Sequence, residues 1–149
     1  SNENVGSIFR TADAIGVSKI ILCGYTPAPV DRFGRENKGL IKASLGAEKF
    51  VKWEKVESLK GVSTKLRKEG FKIVGIEQDK KAINYKNLKK SKLVTRNSNL
   101  ALVFGNEVNG LSKEDLKLCD TIAQLPMLGK KESINVAVCV GIVLYELLV

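Results

Sequence analysis

Five polar residues carry the chemistry this chain can offer, and they fall in three separate stretches. Asn4 and Arg10 stand in Asn4-Val-Gly-Ser-Ile-Phe-Arg10, and Glu107 stands in Gly105-Asn-Glu-Val-Asn-Gly110. Ser133 and Asn135 come just ahead of an apolar run over 136–144. Ser133 takes the position of an N-cap, with a helix expected from Ile134 onward. Ser133 and Asn135 then share the first turn, beside a Pro/Gly loop with free backbone N–H and C=O groups. That place suits a ligand with both donors and acceptors, such as an adenine ring. Equally, the pair reads as a cap and an incidental asparagine. Glu107, at the end of an apolar strand, is a ligand-facing carboxylate, a cap for the next helix, or a lysine's partner. For Asn4 and Arg10 the structural alternatives are an N-cap and a surface charge.

Other chemistry is excluded. The 105–110 loop is followed by no Gly-Lys-Ser/Thr and lacks Gly-x-Gly-x-x-Gly, so phosphate cradling is a poor reading. The chain has no histidine, which excludes histidine acid/base catalysis and histidine metal ligation. Cys23, Cys119 and Cys139 lie in separate apolar segments and read as buried free thiols. No metal is expected. The net charge of +9 favours an anionic partner, nucleic acid before a membrane surface. Lys80, Lys81, Lys86, Lys89, Lys90 and Lys92 surround Tyr85, so the stretch 79–92 could lay lysines on phosphates beside an aromatic for a base. A solvated connector is the alternative.

The elements that must position these residues alternate along the chain. Val5, Ile8, Ala12 and Ile15 mark a first helix stopped at Gly16. Strands are expected at 19–23, 50–53, 72–77, 100–104 and 121–125. Helices are expected at 38–45 (ended by Gly46), from Val56 to Gly70, from Ser112 to Cys119, and after Ser133. The apolar stretch 100–104 reads as a central parallel strand. With no polar residue over 136–144, the last helix should be buried on more than one side. It is too short to span a membrane. Alternation of this kind predicts one α/β domain over 1–149 with a mostly parallel sheet flanked by helices. Ligands on such sheets bind beyond the carboxyl ends of the strands, here the loops after Glu77, Phe104 and Leu125. No signal peptide is read, so the cytoplasm is the expected compartment.

Taken together, three stretches resemble the three motifs of the SpoU (TrmH-like) RNA methyltransferases. They are Asn4-Val-Gly-Ser-Ile-Phe-Arg10-Thr-Ala-Asp13, Leu102-Val-Phe-Gly-Asn-Glu107-Val-Asn-Gly110-Leu-Ser112, and Leu125-Pro-Met127-x-Gly129-x-x-x-Ser133-Ile-Asn135-Val-Ala137. They occur in order and properly spaced, and Lys42-Ala-Ser-Leu-Gly-Ala47 adds a softer match. The resemblance implies a SPOUT fold with a C-terminal deep trefoil knot, a homodimer, and S-adenosyl-L-methionine bound in the knot. It implies methylation of a ribose 2′-oxygen in tRNA or rRNA. A non-catalytic RNA-binding relative of the same fold is the alternative. The family pattern also has a strand ahead of Asn4, so either the sequence is truncated there or the sheet has lost an edge.

Carried over by position, Asn4, Arg10, Glu107, Ser133 and Asn135 become the catalytic set. The cofactor is expected against Ile76, Gly105, Leu125, Ser133, Ile134 and Asn135, with Met127 and Gly129 shaping the loop. RNA is expected on Arg10, Lys80, Lys81, Lys86, Lys89 and Lys90. Arg10 is regarded as the base in that family, but a guanidinium resists deprotonation. Clamping of the adjacent phosphate is the better expectation, with Asn4 or that phosphate handling the proton and Glu107 and Asn135 orienting Arg10 and the ribose.

Overall fold

A computed structural model of the chain describes residues 1–91, 93, 94 and 98–149. It forms two compact units, Ser1–Ser58 and Leu59–Val149.

The first unit opens with α1 (Asn2–Ile15). Ser1 is its cap, accepting the Asn4 N–H on Oγ at 3.2 Å. Asn4 therefore lies inside the first turn and is not the cap. Val5, Phe9 and Ala12 recur at helical spacing and are buried with Leu22 of β1 (Ile20–Cys23) and Leu40 of α2 (Lys38–Ser44). Asn37 caps α2 through the Leu40 N–H, and Leu45 ends it in the left-handed region at φ 51°, one residue before the expected stop. β1 pairs in parallel with β2 (Trp53–Val56), Ile20 opposite Trp53. β2 starts later than its apolar sequence suggests. The 3-10 turn Ala47–Lys49 precedes it, Phe50 follows the turn exposed, and Val56 belongs to the strand instead of the next helix.

The second unit contains α3 (Leu59–Lys68), β3 (Lys72–Ile76), β4 (Ile83–Asn84), β5 (Leu100–Phe104), α4 (Lys113–Lys117), β6 (Thr121–Gln124) and α5 (Val136–Leu148). Its four strands are parallel in the order β4-β6-β3-β5. β3 is interior, and Ile73 to Ile76 are buried, as a strand covered on both faces requires. β5, expected at the centre, is an edge strand of this sheet, and all its side chains are half-buried. Its apolar run matches a covered strand whatever its rank, so hydropathy could not separate the two positions.

Asp120 sets the register where β3 and β6 begin. Its Oδ2 accepts the Ile73 N–H at 2.8 Å, its own N–H donates to Ile73 O at 2.7 Å, and Arg67 Nη1 donates to Oδ1 at 2.7 Å. Burial pushes the Asp120 carboxyl up, but the Ile73 N–H and the Arg67 guanidinium outweigh it and hold it below its ordinary value.

α5 departs from expectation twice. It starts at Val136, and its cap is Asn135, whose Oδ1 accepts the N–H groups of Ala137 (2.9 Å) and Val138 (3.3 Å). Ser133 and Ile134 precede the helix. Nor is α5 buried all round: Val140, Val143, Leu144 and Leu147 are buried, whereas Val138, Ile142, Tyr145 and Leu148 are exposed. The run over 136–144 is apolar because two faces are apolar, of which this chain covers one. Among the described residues no helix is long and apolar enough to cross a membrane.

Candidate functional site

Three loops leave the carboxyl ends of β3, β5 and β6 in the second unit, where parallel-sheet proteins bind ligands. They line a cavity of about 320 Å³ together with the segment before α5. Ile76, Glu77 and Gln78 come from the first loop, and 104–110 from the second. Gln124, Leu125 and Met127 come from the third, and Glu132, Ser133, Ile134, Val136 and Cys139 from the approach to α5.

Side chain to backbone bonds tie the three loops to one another. Glu77 Oε2 accepts the Leu111 N–H at 2.7 Å, and Gln78 Nε2 donates to Leu125 O at 2.7 Å. Gln124 Oε1 accepts the Asp79 N–H at 3.3 Å. The second loop is also organised from within. Asn106 Oδ1 accepts the N–H groups of Val108 (2.8 Å) and Asn109 (2.7 Å), and Gly110 N–H returns to Asn106 O. The loop then folds back so closely that a Cβ on Gly105 would stand 2.2 Å from Gly110 C. Gly110 sits at φ 62°, and a Cβ there would meet Glu77 Oε2 at 2.2 Å. Glycine at both positions is a steric requirement of this loop.

The electrostatics of the lining oppose those of the chain. Glu77, Glu107 and Glu132 line the cavity, and among the described residues no lysine or arginine lines it. A ligand carrying positive charge is favoured there and a polyphosphate disfavoured. Phe104, Leu125, Met127, Ile134 and Val136 supply an apolar wall. Burial, and then the Glu77 carboxylate, push the Cys139 thiol up to about 11, so it stands in the wall as a neutral thiol.

The expected site residues divide between the units. Ile76, Gly105, Glu107, Leu125, Met127, Ser133 and Ile134 line the cavity. Asn135 and Gly129 are not lining residues; Asn135 caps α5, and Gly129 has open space around it. Asn4 and Arg10 lie on α1 of the first unit, Arg10 exposed. Lys80, Lys81, Lys86, Lys89 and Lys90 are all exposed, around the 3-10 turn Tyr85–Leu88, which buried Leu88 anchors. Tyr85 packs against the core, which takes it away from the role of a free stacking aromatic. Lys92 lies outside the described residues. Reading the sequence missed Glu77, Gln78, Asn106 and Gln124. The signal was there: each is a polar side chain directly at or beyond the carboxyl end of an apolar strand.

The fold and cavity thus define an α/β protein with parallel sheets flanked by helices and a cavity beyond the strand ends of its second unit. A sequence profile of the SpoU rRNA Methylase family matches residues 1–145, and the chain belongs to that family. It is 30% identical over 149 residues to a tRNA (guanosine(18)-2'-O)-methyltransferase of Borreliella burgdorferi, covering 99% of this chain and 61% of that one. It resembles the crystal structure of an AdoMet-bound rRNA methyltransferase from Sinorhizobium meliloti at TM-score 0.84 and 27% identity, covering 98% of this chain and 51% of the other. The A. aeolicus TrmH/SpoU tRNA modifying enzyme matches at TM-score 0.79 and 29% identity, over 98% and 68%. The chain therefore spans about six-tenths of its Borreliella relative.

Proposed function

We propose that this chain methylates a ribose 2′-hydroxyl in tRNA or rRNA, using S-adenosyl-L-methionine. The observation that carries the reading is an acidic, cross-tied cavity beyond the strand ends of a strongly basic protein of the SpoU family. The volume, about 320 Å³, falls within the range of small-molecule sites, roughly 300–1,000 Å³. The apolar wall suits an adenine, and the three glutamates suit a cationic sulfonium and ammonium. The relatives' names support both the cofactor and the acceptor.

Ile76, Gly105, Leu125, Met127 and Ile134 would hold the cofactor against backbone and apolar side chains, with Ser133 beside them. When bound, S-adenosyl-L-methionine supplies a methyl group already activated on a sulfonium. The chain's own work is to orient the 2′-hydroxyl and to assist loss of its proton. Glu107, Ser133 and Asn135 would orient the ribose. Arg10 stays a guanidinium and would clamp the phosphate next to the target, while Asn4, as a hydrogen-bonding relay, or that phosphate, as the acceptor, would handle the proton of the 2′-hydroxyl. The exposed lysines at 80, 81, 86, 89 and 90 would lie along RNA phosphates.

We read the two units together as one methyltransferase domain, acting in the cytoplasm as a homodimer. The exposed apolar face of α5 supports the dimer. A trefoil knot is supported by the strand order, in which the late β6 lies between β3 and β4. The test is transfer of labelled methyl from S-adenosyl-L-methionine to total tRNA and rRNA, followed by nucleoside analysis. A 2′-O-methylnucleoside is expected. Cofactor binding without transfer to either RNA would point to a different RNA or to a further recognition segment. Absence of cofactor binding as well as transfer would favour the non-catalytic relative, and a base-methylated product would replace the ribose.

A further inference from the structure

The loop between β1 and α2 carries a feature that neither the motifs nor the cavity uses. Residues 31–35 read Asp-Arg-Phe-Gly-Arg and form a closed tip. Asp31 N–H donates to Arg35 O at 3.0 Å, Gly34 N–H returns to Asp31 O at 3.0 Å, and Val30 bridges Glu36 in antiparallel fashion. Asp31 then organises the tip from one side chain. Its Oδ1 accepts the N–H groups of Phe33 (2.8 Å) and Arg35 (3.0 Å), and its Oδ2 accepts Arg35 Nε at 2.8 Å. These bonds, the Arg35 N–H foremost, hold the Asp31 carboxyl below its ordinary value.

What this scaffold displays is an aromatic ring in water. Phe33 is 67% exposed, and the guanidinium carbons of Arg32 and Arg35 stand 4.7 Å and 5.2 Å from its ring centroid. Cation–π contacts of this kind are worth about 0.5–1 kcal/mol each at exposed sites, enough to bias the rotamers of both arginines toward the ring. A fixed turn, a bare ring and two guanidiniums form a small platform for a planar, anionic partner. An unpaired nucleotide has both properties: a π-face to stack on Phe33 and a phosphate for the arginines' planar donors.

We propose that the Arg32–Phe33–Arg35 tip is an RNA contact that stacks an unpaired base on Phe33 and holds its phosphates with Arg32 and Arg35. It rests on the RNA reading above and adds a preference for single-stranded or looped RNA. Asp31 is a positioning residue, since it shapes the turn and orients Arg35. A purely apolar protein partner fits less well, because it would desolvate the two guanidiniums beside the ring and offer them no anion.

The test is binding of a fluorescein-labelled, unstructured 12-nucleotide RNA to the whole chain and to Phe33→Ala, Phe33→Leu and Phe33→Trp. Base–aromatic stacking is worth about 1–3 kcal/mol by alanine substitution, so the alanine variant should lose roughly 5- to 150-fold in affinity. The leucine variant should lose nearly as much, and the tryptophan variant should bind like the unaltered chain. Arg32→Gln should reduce the slope of log affinity against log salt by about 0.7, one phosphate's share on a single strand. Unchanged thermal unfolding midpoints separate these effects from misfolding. RNA binding by the unaltered chain that all three Phe33 variants match overturns the tip and leaves the RNA reading standing. No RNA binding by the unaltered chain overturns both. Full retention by leucine with loss by alanine overturns stacking in favour of plain apolar contact.

Discussion

Glu77 reaches across 34 positions of sequence to accept the backbone N–H of Leu111 at 2.7 Å. The bond fastens the end of β3 to the loop that follows β5, and Gly110 is the residue that lets the carboxylate pass. Glu77→Ala leaves the half-buried Leu111 N–H without this partner. A loss of about 1–3 kcal/mol of stability is expected in denaturant unfolding. Calorimetry should show weaker S-adenosyl-L-methionine binding in the same variant, since the loop lines the cavity. Unchanged affinity would detach this loop from the cofactor.

Arg10→Ala should reduce methyl transfer by at least a hundredfold and leave cofactor affinity within a few-fold, because its proposed partner is RNA phosphate. Single-turnover transfer and calorimetry on one preparation separate the two. A large loss of cofactor binding would move Arg10 from the RNA to the cofactor.

The cap of α5 gives a clean contrast. Asn135→Ala removes the acceptor for two N–H groups and should cost about 1 kcal/mol, which Asn135→Asp largely restores. Ser133→Ala should leave unfolding unchanged and reduce activity alone. Equal destabilisation by the two alanine variants would return the capping role to Ser133.

α5 also offers the test of assembly. Val138, Ile142 and Tyr145 follow one another at helical spacing on its exposed face. Ile142→Glu places a charge within that stripe and should convert a dimer to a monomer in analytical ultracentrifugation. A monomeric unaltered chain at tens of micromolar would remove the dimer.

The thiols supply a pH signature. Burial pushes both Cys119 and Cys139 up to about 11, Asp115 adding to it at Cys119 and Glu77 at Cys139. At pH 8 each is almost entirely thiol, so alkylation should run at least tenfold slower than at an open cysteine, even allowing for the higher intrinsic nucleophilicity of a high-pKa thiolate. In the unfolded chain these groups ionise near 9. The unfolded state therefore loses protons first. Stability from this source is intact below about pH 9 and falls as pH rises from 9 toward 11. Unfolding free energies measured from pH 8 to 11 should decline across that window, and Cys139→Ala should flatten part of the decline.

Several features of the fold were readable because they are local. The first helix follows from the spacing of Val5, Ile8, Ala12 and Ile15, although the buried face runs through Val5, Phe9 and Ala12 and leaves Ile8 and Ile15 only half-buried. The apolar runs at 73–76 and 100–104 could hardly be anything but covered strands. The carboxyl ends of the strands pointed to the three loops that line the cavity, and two of those loops carry motif residues. Chain entry into α5 was misread because Ser133 and Asn135 are both good caps. Which of them caps depends on where the backbone turns helical, and that is decided by how the preceding loop leaves β6.

By itself, then, the sequence determined the alternation of strands and helices, the acid- and glycine-bearing loop after β5, the excess of positive charge and the absence of histidine chemistry. Tertiary structure alone decided that β6 enters between β3 and β4, that β5 lies at the sheet's edge, and that Glu77 ties two loops together. It also decided that one apolar face of α5 stays open. The physical reason is range. Periodicity, capping and charge act within a few residues, whereas strand order and side-chain bonds across 34 positions are choices among distant partners of nearly equal hydropathy, settled by packing.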